Sequence, residues 1–287
     1  MEQVELTGVF DKNVQDLDEF RQRRVNTTKR HRTKMGITKM RIWGEYAEYI
    51  LLPAVLLIAW SMADRGTGRS VIPSLMQILT TFVQKITDGT LILAVATSLG
   101  RVLKGYLLAA VTGVLFGILI GLSEHVKRLT DLIIQILRPI PPIAWIPLAI
   151  FWFGIGESSK VFLIYLGGFF VILINVIDGI KFKDERMVEV AKVSGLSQLQ
   201  YITKVVIPGA LPSIFTGLRV GLNTCWTCVV AAELVASTSG IGYMISNARN
   251  YGQMDVILVG MFTIGFIGKA MDLLLNRIEK RAIYWKN

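Results

Sequence analysis

Long apolar runs separated by short polar connections set the pattern of this chain. Six stretches are long enough to cross a hydrocarbon core of about 30 Å, which takes about 20 helical residues. They are 46–63, 91–122, 129–153, 160–180, 212–236 and 256–275, and they predict an all-α membrane protein with six transmembrane helices. Ahead of the second run, the stretch Pro73 to Asp88 puts Leu75, Ile78, Leu79, Phe82 and Ile86 on one helical face, with Gln77, Thr81, Gln84 and Lys85 opposite. That spacing predicts an amphipathic helix lying at a membrane surface.

Two runs carry internal structure. The second has a small residue at every fourth position, Gly105, Ala109, Gly113, Gly117 and Gly121. Small residues let helix backbones approach closely where lipid offers no hydrophobic drive. The stripe therefore marks a packing face, within one subunit or between two copies, or else the lining of a pathway. The third run is interrupted by Arg138, Pro139, Pro141, Pro142 and Pro147. Proline removes backbone donors and kinks a helix, so this run is not a straight rod. Broken helices at membrane depth face protein or a water-filled cavity, which leaves a pathway-lining role and an architectural kink both open.

Between the fourth and fifth runs lies a polar segment, 181–210. Asp184 or Glu185 can start a helix with its carboxylate at the positive end of the dipole. Gly195 suits the left-handed position that ends it. Ser197 and Gln200 form the pattern of a capping box for a second short helix, which Pro208 is expected to stop. Two short helices tied to two membrane spans form a lever that a water-side partner can grip.

Charge adds the topology. The 287 residues carry 31 Lys and Arg against 21 Asp and Glu, a net charge of +10, at a mean hydropathy of +0.51. If the N-terminus is inside, the inner connections hold 21 basic residues and the outer ones 4. This asymmetry predicts both ends in the cytoplasm. Residues 1–45 divide into an acidic tip with Glu2, Glu5, Asp11, Asp16, Asp18 and Glu19, followed by nine Lys or Arg between 21 and 41. A basic arm of that kind either rests on anionic headgroups or stays solvated.

Candidate chemistry is sparse. Cys225 and Cys228 form a CxxC inside an apolar run, where small core residues are a better reading than thiolate chemistry. His31 and His125 are far apart, and no metal site is expected. The chain has no GxxxxGK[ST] to cradle phosphates. Ionisable residues inside spans are functional candidates by default. Arg101, Arg138, Arg219 and Glu233 are accordingly candidates for a substrate pathway, with Trp145 beside the prolines of the third run. Arg219 is about 10 Å and Arg138 about 14 Å into its span at 1.5 Å per residue, and structural pairing is the competing role for each.

The segment Glu189-Val190-Ala191, Gly195, Val205, Ile207-Pro208 resembles the EAA motif of ABC importer permeases, with Val190 replacing the usual alanine. Arg138 to Leu148, Trp152 to Lys160, Pro208 to Ser213 and Ala231 to Leu234 resemble the nitrate/sulfonate/taurine branch, closest to taurine permeases. The resemblance covers roughly 45–285 and implies a type I ABC importer permease fold over 46–287. It also implies that this chain is a transport subunit and no enzyme, with coupling helices at about 184–206. Glu189, Val190, Ala191, Gly195, Ile207 and Pro208 would meet a separate ATPase that carries ATP and Mg. The other implied partners are a second copy of the permease and an extracytoplasmic substrate-binding protein; the implied place is the inner or plasma membrane. Taurine or another alkanesulfonate is the expected cargo. Nitrate, bicarbonate or a heterocyclic vitamin precursor are the alternatives within the family, and an ATP-independent secondary transporter is the alternative outside it.

Overall fold

The computed structural model describes residues 73–181 and 195–283, together with positions 51, 52, 55 and 60. The chain divides into two units, residues 1–70 and 71–287. In the first, the four described positions are all helical; the expected arm and the rest of the first run lie outside the described residues.

The regular elements of the second unit are all helical among the described residues. Helix α1, Leu75–Thr87, begins at Ser74, whose hydroxyl accepts from Gln77 N. Its Ile78 and Thr81 are buried, and the Thr81 hydroxyl donates to Asp255 at 2.6 Å. Leu79, Phe82 and Ile86 remain exposed, so only part of the expected apolar face packs on protein. At the turn that follows, the Thr90 hydroxyl and N–H both donate to Asp88 and hold its carboxyl below the usual range.

Helix α2, Thr90–Leu122, corresponds to the second run. Helix α3, Glu124–Leu137, and helix α4, Ile146–Phe153, are joined through a 3-10 turn at Pro142–Trp145. Their axes are bent by 88°, since the prolines at 139, 141 and 142 cannot donate to a continuous ladder. Helix α5, Glu157–Lys181, is the fourth run.

The polar segment departs from expectation at its second half. Helix α6, Gln198–Tyr201, carries the capping box, with Gln200 N donating to Ser197 Oγ and Ser197 N to Gln200 Oε1. Pro208 does not stop it. A π-helical stretch at Ile202–Val206 leads directly into α7, Ile207–Ala236, with Pro208 in its first turn. The wider turn lets a residue without an N–H follow without breaking the rod. The span expected to begin at 212 therefore belongs to a helix running from Gln198 to Val235. Helices α8, Ile241–Asn250, and α9, Met254–Ala282, complete the order.

Among the described residues four helices are long and apolar enough to cross a membrane: α2, α5, α9 and the continuous rod containing α7. The bent α3–α4 pair makes a fifth if counted as one span. The six expected helices are thus matched as four spans and a broken fifth, with the first described only at its four helical positions.

Small residues hold α2, α5 and α7 together. A Cβ at Gly105 would lie 2.6 Å from Ile164 Cγ2, and one at Gly117 2.6 Å from Val176 Cβ. Gly113 and Gly121 meet Ile172 and Ile180 in the same way, at 3.0 Å, and Ala109 is fully buried. The stripe thus faces α5 of the same chain. Also on α5, Gly168 lies between Ala109 of α2 and Cys225 of α7, and Gly179 lies under Ser213 of α7. Cys225 and Cys228 are buried free thiols, and Cys225 Sγ donates to Ile164 O at 3.3 Å.

Candidate functional site: a closed ionic cluster and an open charged cavity

Near the start of α2 the polar residues form a closed set. The Arg101 guanidinium donates from Nε and Nη2 to the two Glu157 oxygens at 2.7 and 2.6 Å. From Nη1 it donates to Glu233 Oε1 and Ser239 O, both at 2.7 Å, and from Nη2 to Ser239 Oγ at 2.8 Å. Those five bonds use all five N–H donors that an arginine has, which leaves none for a passing anion. Glu233 also accepts from the Ser98 hydroxyl and from Gly242 N at the start of α8. Lys160 Nζ closes the set on Glu157 at 3.0 Å.

Arg101, Lys160 and Glu233 are 3%, 5% and 1% exposed, whereas the Glu157 side chain is 58% exposed. Two cations and two carboxylates cancel, as burial of charge requires. The turn from α7 to α8 is built around this group. Gly240 has φ +105°, and a Cβ there would overlap the Glu233 carboxylate. Arg101 and Glu233, far apart in sequence, are thus brought together. Ser98, Glu157, Lys160 and Ser239 were not legible as partners; the i,i+3 spacing of Glu157 and Lys160 at the head of an apolar run was the available signal.

Arg219 is held elsewhere, between Asp272 at 2.9 Å and Glu279 at 3.6 Å of α9. Trp145 ends the 3-10 turn and packs against the cluster of Ile146, Ala149, Leu163 and Ala232. Of the expected coupling residues, Glu189, Val190 and Ala191 lie outside the described residues. Gly195 adopts φ +65°, and Ile207 and Pro208 open α7.

Arg138 caps the end of α3 and lines a cavity of about 530 Å³ between α2, α3 and α5. Lys127, Asp131, Asp178 and Lys181 line the same cavity, with Gln135. Gln135 Nε2 donates to Asp131 Oδ2 at 2.9 Å. Lys127 reaches Glu124 outside the cavity, at 4.0 Å. Among the described residues, no ion pair within 4.0 Å joins the cavity's own basic and acidic groups. Asp131 and Asp178 are acids inside apolar runs, the signal in the sequence that marks such positions. Among the described residues no group of three or more His, Cys, Asp or Glu is arranged to hold a metal.

Comparison with known proteins supplies the family. Residues 113–284 match the binding-protein-dependent transport system inner membrane component. A putative ABC transporter permease of Methanocaldococcus jannaschii is 39% identical over 88% of this chain and 97% of its own length. A putative aliphatic sulfonates transport permease of Bacillus subtilis is 38% identical over 83% of this chain and 87% of its own. The taurine transport permease of Escherichia coli is 36% identical over 82% and 87%, and a nitrate import permease of Synechocystis 34% over 83% and 91%. The inward-facing MetNI methionine ABC transporter aligns over 69% of this chain and 98% of its own, with a TM-score of 0.59 at 20% identity; that likeness shows a type I importer permease fold. With a matched family over more than half its length, this chain belongs to the membrane-spanning permease subunits of binding-protein-dependent ABC importers.

Proposed function

We propose that this permease carries a small sulfonate, taurine first among them, from an extracytoplasmic binding protein into the cytoplasm. The observation that carries this reading is that relatives named for aliphatic sulfonates and for taurine match over four fifths of the chain. The motif from Glu189 to Pro208 supports docking of a separate ATPase, which would supply ATP and Mg. The basic connections support an orientation with both ends in the cytoplasm, and the family pattern supports a pair of permease copies. The nitrate relative favours a second reading, in which the cargo is a simple inorganic anion.

The test is uptake by proteoliposomes containing the permease, its ATPase and its binding protein. Labelled taurine is the substrate, and nitrate and a longer alkanesulfonate are the competitors. The expected outcome is ATP-dependent taurine uptake that needs all three components. Uptake of nitrate alone would replace the cargo, and uptake without the ATPase would overturn the coupled mechanism.

A further inference from the structure

Charged side chains among the described residues of this bundle differ in whether they close on one another. Arg101, Lys160, Glu157 and Glu233 close on one another, and Arg219 and Lys269 close on Asp272. The groups around the cavity between α2, α3 and α5 do not. Lys127 and Asp131 of α3, Asp178 and Lys181 of α5, and Arg138 at the end of α3 line it together, three cations and two carboxylates; Lys127 pairs with Glu124 outside it and Asp131 accepts from Gln135, and among the described residues no ion pair joins the five to one another. Two other cavities among the described residues differ in kind. One of about 780 Å³ is lined by apolar side chains and a single threonine, and one of about 340 Å³ beside Ser239 contains one charged residue, Lys85.

Charges of both signs that line one space without pairing with one another favour a ligand that carries both signs. At about 530 Å³ the space falls within the range of about 300–1,000 Å³ typical of small-molecule sites. Guanidinium and ammonium groups recognise a tetrahedral oxyanion through charge-assisted hydrogen bonds. Carboxylates repel such an anion but attract an ammonium group on the same molecule, so their presence discriminates between ligands. We infer that this cavity binds a small zwitterion, its oxyanion on Arg138 and the lysines and its ammonium on Asp131 and Asp178. The inference rests on the sulfonate reading above and narrows it, because taurine carries both groups whereas nitrate and simple alkanesulfonates carry one. A phosphatidylethanolamine headgroup has the same pair of charges and is the other source of this chemistry.

The experiment uses the permease–ATPase complex in phosphatidylglycerol nanodiscs without the binding protein, so that bound ligand reports on the membrane part. Labelled taurine binding is measured for the wild type and for Asp178→Asn, Asp131→Asn and Arg138→Gln, each checked for intact assembly by size-exclusion elution. The two acids are on different helices, so loss of one variant to misfolding leaves the other. The expected result is binding weakened about tenfold or more in each variant, the scale of one lost charge-assisted contact. Ethanesulfonate, which lacks the ammonium, should bind the wild type at least about tenfold more weakly than taurine, with the gap closing in Asp178→Asn.

A parallel set of nanodiscs contains phosphatidylethanolamine. Lipid retained by the wild type and lost from the variants in native mass spectrometry, with no taurine binding, assigns the site to the headgroup. Equal binding of ethanesulfonate and taurine, or variants that change neither ligand, overturns the inference. Uptake by the wild-type assembly is read alongside. Sulfonate uptake with binding untouched by the variants sinks the site alone, whereas absence of any sulfonate uptake sinks the proposed cargo and leaves the binding data to decide the site.

Discussion

At the residue scale, Glu233 and Glu157 show how burial changes the worth of the same ion pair. Glu233 is 1% exposed and satisfies Arg101, Ser98 and the first turn of α8 together. Removing one partner of a buried pair strands the other, at a cost of about 3–5 kcal/mol. Glu157 is more than half exposed, so water can take over part of its role, but it is also the counter-charge of the buried Lys160 and occupies two Arg101 donors, so its loss should cost less than that of Glu233 without being negligible. Thermal unfolding in detergent should therefore separate Glu233→Ala, with the larger drop in Tm, from Glu157→Ala, with the smaller one. Gly240→Ala should behave like Glu233→Ala, since its Cβ would enter the carboxylate and its backbone conformation disfavours a side chain. Equal losses at Glu157 and Glu233 would contradict this assignment of burial. The chemical types of these residues were readable from the chain. Their pairing was not, because Arg101 and Glu233 are 132 positions apart and only folding brings them to bonding distance.

Among elements, the glycine stripe of α2 is the most informative. The four-residue spacing was legible because it survives as a helical pattern, but spacing leaves the opposing surface undetermined. The structure supplies α5. A side chain larger than hydrogen at Gly117 would press on Val176, whereas Gly100 on the same helix has nothing within 4 Å of its added Cβ. Gly117→Val should lower stability by about 1–3 kcal/mol, the range for overpacking a fitted interface. Gly100→Ala should be neutral or slightly stabilising, as alanine propagates helix better. Melting curves of the two variants check this; matching curves would place the close contact elsewhere. The junction of α6 and α7 was misread for a related reason. Proline is a reliable local stop only when the chain keeps regular α geometry, and a π turn relaxes that condition ahead of Pro208.

At the scale of the whole molecule, the rod from Gln198 to Val235 links the end near Gly195 to the ionic cluster at Glu233. Force applied near Gly195 by an ATPase would act on a continuous helix. Gly195 has φ +65° with nothing within 4 Å of an added Cβ, so the obstacle to substitution there is conformational and not steric. Gly195→Val should accordingly distort the turn and uncouple ATP hydrolysis from uptake while leaving membrane insertion unchanged. Parallel assays of hydrolysis and uptake in proteoliposomes test it, and normal coupling would reject a mechanical role for the turn. Glu189→Lys should reduce copurification of the ATPase; undiminished copurification would remove Glu189 from the docking surface.

Hydrophobic runs and the spaced motif were enough by themselves to determine the helical class, the rough positions of the spans from the second run onward and the importer family. Each is a local or compositional property: a helix in lipid must satisfy its own backbone, so length and apolarity suffice to find it. Tertiary structure alone decided that Arg101 is a fully engaged tie, that the glycines meet α5, that the proline-rich run bends by 88°, and that Arg138 shares a cavity with two acids from different helices. Those outcomes depend on which helix faces meet, a question of three-dimensional packing that periodicity along one strand of sequence does not specify.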